Sequence, residues 1–264
     1  MSAADSFARL DVEDLSSGVR VLTLSQPARR NALDDVLLGQ LGEALRPKTT
    51  GAPIRALLIR GDGDAFCAGY DLTRLATAVP GEPLPDALLM ETLRALETCP
   101  WPSVAMVRGP AYGAGCDLSL ACDFRFGAPD AAFCLPPSKL GIAYAPGGIA
   151  RAIRVVGVSQ AKRMLLTGRV IRADEAKRIG LLDAVYPVDA LEDEALSLCE
   201  TLAERAPLAI AGMKASFRAL TEPRLDPDTL EALEALRRIA YQSDDAREGA
   251  AAFREKRDAR FTGR

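Results

Sequence analysis

The chain has 264 residues, 48% of them hydrophobic and 26% charged, enough for one large folded unit with a substantial core. A formal net charge of −3 gives no electrostatic basis for nucleic acid or an anionic membrane as the main partner. The histidine count is zero, which excludes every serine–histidine or cysteine–histidine nucleophile and every histidine-ligated metal, so acid–base chemistry falls to Asp, Glu, Tyr, Lys, Cys or water.

In chain order, VRVLTL (19–24) alternates in aliphatic and β-branched residues and predicts a strand. ALDDVLLGQLGEALR (32–46) has helical spacing, RALLIR (55–60) is a second strand, and DALLMETLRALETC (86–99) is a helix stopped by Pro100 and Pro102. SVAMVRG (103–109) predicts a third strand, and YGAGCDLSLACD (112–123) a glycine-rich turn running into a helix. Short strands at 123–127 and 131–135 precede helices starting near Gly147 and covering 159–167 and 173–179. A late strand at 181–186 is followed by helix from about residue 190 onward. Strands alternating with helices predict an α/β fold with crossover connections. The unit recurs after residues 19, 55 and 103, which favours stacked β–β–α turns over a doubly wound sheet. The expected division is a spiral core, 1–205, and a helical C-terminal region, 206–264.

The six cysteines, Cys67, Cys99, Cys116, Cys122, Cys134 and Cys199, form no CxxC pair and no zinc spacing, so reduced, buried thiols and no metal are expected. The N-terminus lacks an apolar signal core, and no apolar run nears the roughly 18 residues that span a bilayer, so the expected location is cytoplasmic.

Two small-residue turns each follow an apolar strand: Ala68-Gly69-Tyr70-Asp71 and Gly113-Ala114-Gly115-Cys116-Asp117. The second opens a helix, where backbone N–H groups lack intrahelical acceptors and the helix dipole is positive. Side by side, the turns would offer two converging N–H donors, the form of an oxyanion hole. Glycine-rich strand-to-helix turns also serve packing alone. Neither GxGxxG nor GxxxxGK[ST] occurs, so no nucleotide fingerprint is present.

The segments RNALD (30–34), AFCAGYDL (65–72), GPAYGAGCDLSLACDFRF (109–126), LGIAYAPGG (140–148) and AKRIGLLDAVYP (176–187) resemble, in order and over essentially the whole chain, the enoyl-CoA hydratase/isomerase, or crotonase, family. The resemblance implies a β–β–α superhelix with a helical C-terminal trimerisation region, assembling as a homotrimer or a hexamer of paired trimers. It implies an acyl-CoA thioester substrate of the kind met in fatty acid metabolism. No separate cofactor is expected, coenzyme A being part of the substrate. The shared chemistry is an enolate held by two backbone N–H groups, which map to Tyr70 and Ala114. Small residues before Tyr70 would then let pantetheine lie along the backbone, with Ala68, Gly69, Asp71, Leu72 and Pro136 contacting substrate. Arg29 and Ala32 lie where the family contacts the adenine end, and Lys256 in FREKRDARF (253–261) would reach the nucleotide phosphates, although a solvated helix face explains that segment equally well.

The departures narrow the chemistry. Of the two glutamates of family hydratases, the first maps to Asp117 and the second to Pro137. Ala145 stands where the dehalogenase branch has its aspartate nucleophile. Asp117 and Tyr144 are the candidates left at the reacting centre. LGIAY resembles the branch that decarboxylates methylmalonyl-CoA or ethylmalonyl-CoA, where a tyrosine sits at this spot. An enzyme of hydratase or isomerase type is the first expectation, decarboxylation of a malonyl-type CoA the second, and a non-catalytic acyl-CoA binder the third.

Overall fold

The computed structural model describes residues 9–47, 53–70 and 82–264. In chain order the described elements are β1 (Leu10–Asp14), β2 (Val19–Leu24), a 3-10 turn (Pro27–Arg29), α1 (Asp35–Ala44), β3 (Ala56–Gly61), α2 (Ala87–Thr98), β4 (Ser103–Val107), β5 (Pro110–Tyr112), α3 (Ala114–Ala121), β6 (Phe124–Gly127) and β7 (Ala132–Cys134). They continue with a 3-10 turn (Pro137–Leu140), α4 (Pro146–Thr167), β8 (Ile171–Arg172), α5 (Ala173–Arg178), β9 (Ala184–Val185), α6 (Leu191–Ala203), α7 (Pro207–Thr221), α8 (Pro227–Gln242) and α9 (Asp244–Glu255).

Six strands form one sheet in the order β1-β2-β3-β4-β6-β9, antiparallel between β1 and β2 and parallel elsewhere. Because alternate side chains point to opposite faces, both faces of β3 and β4 are apolar. Leu57, Ile59, Ala105 and Val107 enter the larger core with α1, α2 and α3. Ala56, Leu58 and Val104 enter a second core closed by Leu191, Ala195 and Cys199 of α6. A second sheet, β5-β7-β8, stacks the short strands. Two turns thus give one strand to the long sheet, one to the short sheet and then a helix, β4–β5–α3 and β6–β7 followed by α4. This is the crotonase-like β–β–α superhelix.

Several elements differ from expectation, among them β8, a two-residue strand at Ile171–Arg172 that was not foreseen. β1 was not foreseen: LDVED is acidic and four of its five residues are exposed, because it is the edge strand. The strand expected over 103–109 ends at Val107, and a separate short strand, β5, follows at Pro110–Tyr112, because the chain passes between sheets at Arg108 and Gly109. The 181–186 strand shrinks to Ala184–Val185, since Leu181 and Leu182 are buried in the turn before it. The expected break between helices near 147 and 159 falls at Gly157, whose backbone leaves helical geometry at φ 75°, ψ 164°.

Candidate active site: two backbone donors and a buried acid

The segment after β3 runs between the 30–33 loop and β5. The Leu33 N–H donates to Gly69 O (2.8 Å), while the Cys67 N–H donates to Pro110 O (3.1 Å) and the Tyr112 N–H to Cys67 O (2.9 Å). In a trans peptide the C=O and the next N–H point in opposite directions. No peptide among the described residues is cis. The Gly69 carbonyl faces Leu33, so the Tyr70 N–H is aimed away from it, toward the β5–α3 side. Gly113 caps α3, and its carbonyl accepts from the Asp117 N–H (3.0 Å), which turns the Ala114 N–H out of the helix end. The Ala114 N–H meets no acceptor among the described residues.

The two turns touch. Gly69 has φ 113°, and a Cβ there would stand 2.9 Å from Tyr112 O and 3.7 Å from Ala114 N. Gly113 has φ 51°, with the Gly69 Cα 3.9 Å from where its Cβ would be. Only glycine accepts both the conformations and the approach. Further anchors hold this register. Asn31, fully buried, donates through Nδ2 to Asp62 O and Ala65 O (both 2.8 Å) and accepts from Gln26 N. The Tyr70 phenol reaches Pro85 O (2.9 Å) and Asp35 Oδ1 (3.2 Å), which ties its ring away from the turn. Sequence reasoning missed the part played by Asn31. Its signal was a polar residue in a turn, common enough to pass unnoticed.

Asp117, in the first turn of α3, has no exposed surface. Arg151 of α4 grips it at two points, Nε to Oδ1 (2.8 Å) and Nη2 to Oδ2 (3.1 Å). The Tyr144 hydroxyl donates to Oδ2 at 3.0 Å. Arg151 also bonds Glu97 Oε2 through Nη1 (2.7 Å), and Glu97 in turn pairs with Arg154. Both Asp117 oxygens are therefore hydrogen-bonded, and three of the roughly four acceptor sites of the carboxylate are used. Burial first, then the Asp117 charge, pushes the Tyr144 pKa well above the usual phenol value, so Tyr144 keeps its proton at neutral pH. Gly148 lets α4 approach: a Cβ there would fall 2.4 Å from Tyr144 Cε1 and 3.0 Å from Asp117 Oδ2. Neither Arg151 nor Glu97 was singled out from the sequence.

Beside Tyr144 lies a cleft of about 510 Å³ walled by Pro137, Ile142, Ile149, Leu233 and Leu236. Pro137 starts a 3-10 turn and is buried, so no carboxylate stands at that position. A second cleft, of about 490 Å³, is lined by Met90, Arg94, Arg151, Arg154 and Arg238.

The structure brings Gly69 and Tyr70 together with Ala114, and Asp117 with Tyr144. Ala68 is exposed beside them, its N–H bonded to Arg30 O (2.8 Å), and Pro136 is half-buried ahead of the 137–140 turn. Arg29 and Ala32 lie on the 26–33 loop, with Arg29 paired to Asp34 (3.3 Å). Asp71 and Leu72 lie outside the described residues. Lys256 is the exposed, left-handed C-cap of α9, and its N–H bonds Phe253 O. No described contact links it to the two turns. All six cysteines are reduced and buried, and burial pushes the Cys67 thiol up to about 12, which leaves it no thiolate for nucleophilic work. Among the described residues no metal-ligating cluster occurs and no helix is long and apolar enough to cross a membrane.

Residues 14–264 match the family model described as enoyl-CoA hydratase/isomerase. The chain is 37% identical over 248 residues to the 2,3-dehydroadipyl-CoA hydratase of Escherichia coli (strain K12), spanning 93% of this chain and 96% of that protein. It is 31% identical to the methylmalonyl-CoA decarboxylase of the same organism, over 93% and 95% of the two chains. A crystal structure of methylmalonyl-CoA decarboxylase complexed with 2S-carboxypropyl-CoA superposes with a TM-score of 0.87 at 30% identity, covering 98% of this chain and 100% of that one.

Proposed function

The chain belongs to the enoyl-CoA hydratase/isomerase family, and from that premise we propose that it decarboxylates a 2-carboxyacyl-CoA of the methylmalonyl or ethylmalonyl type. The thioester oxygen sits between the N–H groups of Tyr70 and Ala114, where negative charge that develops on it is stabilised. The C–C bond to the carboxylate breaks, CO₂ leaves, and its electron pair passes through Cα onto the thioester oxygen. The Tyr144 hydroxyl turns its proton from Asp117 Oδ2 to Cα of the enolate, and is refilled from water. One proton is consumed and no carboxylate base is used.

The observation that carries this reading is the occupancy of Asp117. Syn-hydration and double-bond migration need a carboxylate that can accept a proton. Here Arg151 and Tyr144 occupy both oxygens of the one acid, and Pro137 fills the other position. Loss of CO₂ needs only the donors and a proton source. The apolar wall beside Tyr144 favours the neutral product over an ionised carboxylate. The similarity to methylmalonyl-CoA decarboxylase supports the same choice. Incubation with methylmalonyl-CoA, read by CO₂ release, and with crotonyl-CoA, read by loss of enoyl absorbance, tests it. CO₂ release with crotonyl-CoA untouched is expected. Hydration alone overturns it, and neither signal with CoA still bound leaves a binder.

Lys256 is assigned to the nucleotide phosphates of coenzyme A, with Arg29 and Ala32 at the adenine end. A homotrimer, single or paired as a hexamer, completes the assembly. Its support is α7, which buries none of its own residues and exposes Leu208, Met213, Phe217 and Leu220 in the single chain. Sedimentation gives the stoichiometry.

A further inference from the structure

Ahead of α1, two consecutive residues, Arg30 and Asn31, have left-handed backbone, with φ 49° and 56°. For a residue that carries a Cβ this conformation is unfavourable, and it persists where the surroundings hold it. Asn31, fully buried, supplies the hold. Its Nδ2 donates to Asp62 O and Ala65 O, on either side of the turn that follows β3, and its Oδ1 accepts from the Gln26 N–H. Gly61 admits the amide, since a Cβ there would stand 2.8 Å from Nδ2. On both sides of Asn31 the loop then meets the segment before Tyr70 through its own backbone. Arg30 O accepts from the Ala68 N–H, and the Leu33 N–H donates to Gly69 O, each at 2.8 Å. Leu33 and Tyr70 pair as an isolated parallel bridge.

We propose that Asn31 is a positioning residue for the thioester hole, its buried amide fixing the 30–33 loop so that the Leu33 N–H sets the direction of the Tyr70 N–H. The inference rests on the reading of that hole given above, and not on which reaction follows. The Gly69–Tyr70 peptide is one rigid plane, so whatever holds its C=O also aims its N–H on the opposite side. Leu33 holds that C=O, and it stands two residues after the left-handed pair. A tilt of the plane moves this donor off the thioester oxygen and leaves Ala114 where it is. Asparagine suits the position on two counts. It adopts left-handed backbone more readily than most residues, and its amide has the two donors that two carbonyls require. Negative charge on the thioester oxygen is larger in the transition state than in bound substrate, so a misaimed donor lowers kcat more than it weakens binding. A role in folding alone would cost stability and leave the polarisation of a bound thioester unchanged.

Infrared difference spectroscopy of propionyl-CoA, isotopically labelled at the thioester carbonyl, reads the hole directly. Hydrogen bonds to the oxygen weaken the C=O bond and lower its stretching frequency. In the wild type the bound band is expected below its frequency in water. Asn31→Gly keeps the left-handed backbone and removes the amide. Its bound band should move back toward the aqueous frequency. Its kcat should fall about 10²-fold, the effect of misplacing a catalytic group by about 1 Å, with KM changed less than about threefold. Should this variant fail to fold, an ester in place of the Ala32–Leu33 amide removes the Leu33 N–H with every side chain kept, and should move the band in the same direction. A band lowered in the wild type and equally lowered in folded Asn31→Gly, or in the ester variant, overturns the proposal. A wild-type band that is not lowered on binding overturns the hole itself, and the two failures are thereby told apart.

Discussion

Asp117 and Arg151 meet across the α3–α4 contact in a two-point ion pair, Nε–Oδ1 2.8 Å and Nη2–Oδ2 3.1 Å, with the acid fully buried and the base 3% exposed. Breaking a pair at this depth strands a charge. Arg151→Leu is expected to destabilise the fold by about 3–5 kcal/mol at neutral pH. Replacing both residues by leucine should cost clearly less, because no charge is left behind in the Asp117 site. The deficit of Arg151→Leu should also shrink in acid. A stranded carboxylate loses its charge when it is protonated, so the penalty is present where the group is ionised and fades in acid. Urea titrations at several pH values measure both.

Ala114 is the first helical residue of α3, a position that tolerates proline because its N–H has no intrahelical acceptor. Ala114→Pro therefore removes one donor of the thioester hole while leaving the helix able to form. Turnover should fall at least about 10²-fold, as for removal of other oxyanion donors, with an unchanged circular dichroism spectrum. A folded variant with near-normal turnover removes Ala114 from the hole.

Gly148→Ala tests the approach of α4 to the reacting centre. The added methyl would stand 2.4 Å from Tyr144 Cε1 and 3.0 Å from Asp117 Oδ2, so the phenol must move. Overpacking of this kind typically costs about 1–3 kcal/mol. Activity should fall by more than the stability loss explains, because displacement of Tyr144 changes the aim of its proton. Parallel measurement of kcat and of the unfolding midpoint separates the two effects.

Cys67 lies two residues before Gly69, yet burial pushes its thiol up to about 12, and Cys122 and Cys199 are raised to about the same value by the same cause. The native protein should resist Ellman's reagent at pH 8, and all six thiols should react once it is unfolded in guanidinium. Rapid modification of Cys67 in the folded state, with loss of turnover, would place a reactive thiol at the site.

Both glycine turns were legible in the sequence, because Gly69 and Gly113 each follow an apolar strand and that order is itself the signal. Asp117 was legible as an acid in a helix's first turn, but not its partner. Arg151 stands 34 residues away on a helix whose sequence, GIARAIRVV, carries two arginines that nothing local tells apart. Only the packing of α4 on α3, which Gly148 permits, turns one of them inward. The edge strand β1 escaped for the opposite reason: its exposed acids look like a loop, and pairing with β2 makes it a strand. Strand alternation and the apolar runs of β3 and β4 carried the long sheet, whereas the passage from β4 to β5 depends on contacts that no local pattern encodes.

The most direct measurement is the fate of solvent hydrogen during turnover in D₂O. Decarboxylation with Tyr144 as proton donor, and with no free carboxylate base, predicts that methylmalonyl-CoA gives propionyl-CoA carrying one deuterium at Cα. Propionyl-CoA offered as substrate should keep its Cα protons over the same period, and Tyr144→Phe should slow product formation about 10²-fold. Rapid exchange of the Cα protons of propionyl-CoA by the wild type, abolished in Asp117→Asn, would show that Asp117 works as a base in spite of Arg151 and would contradict the assignment.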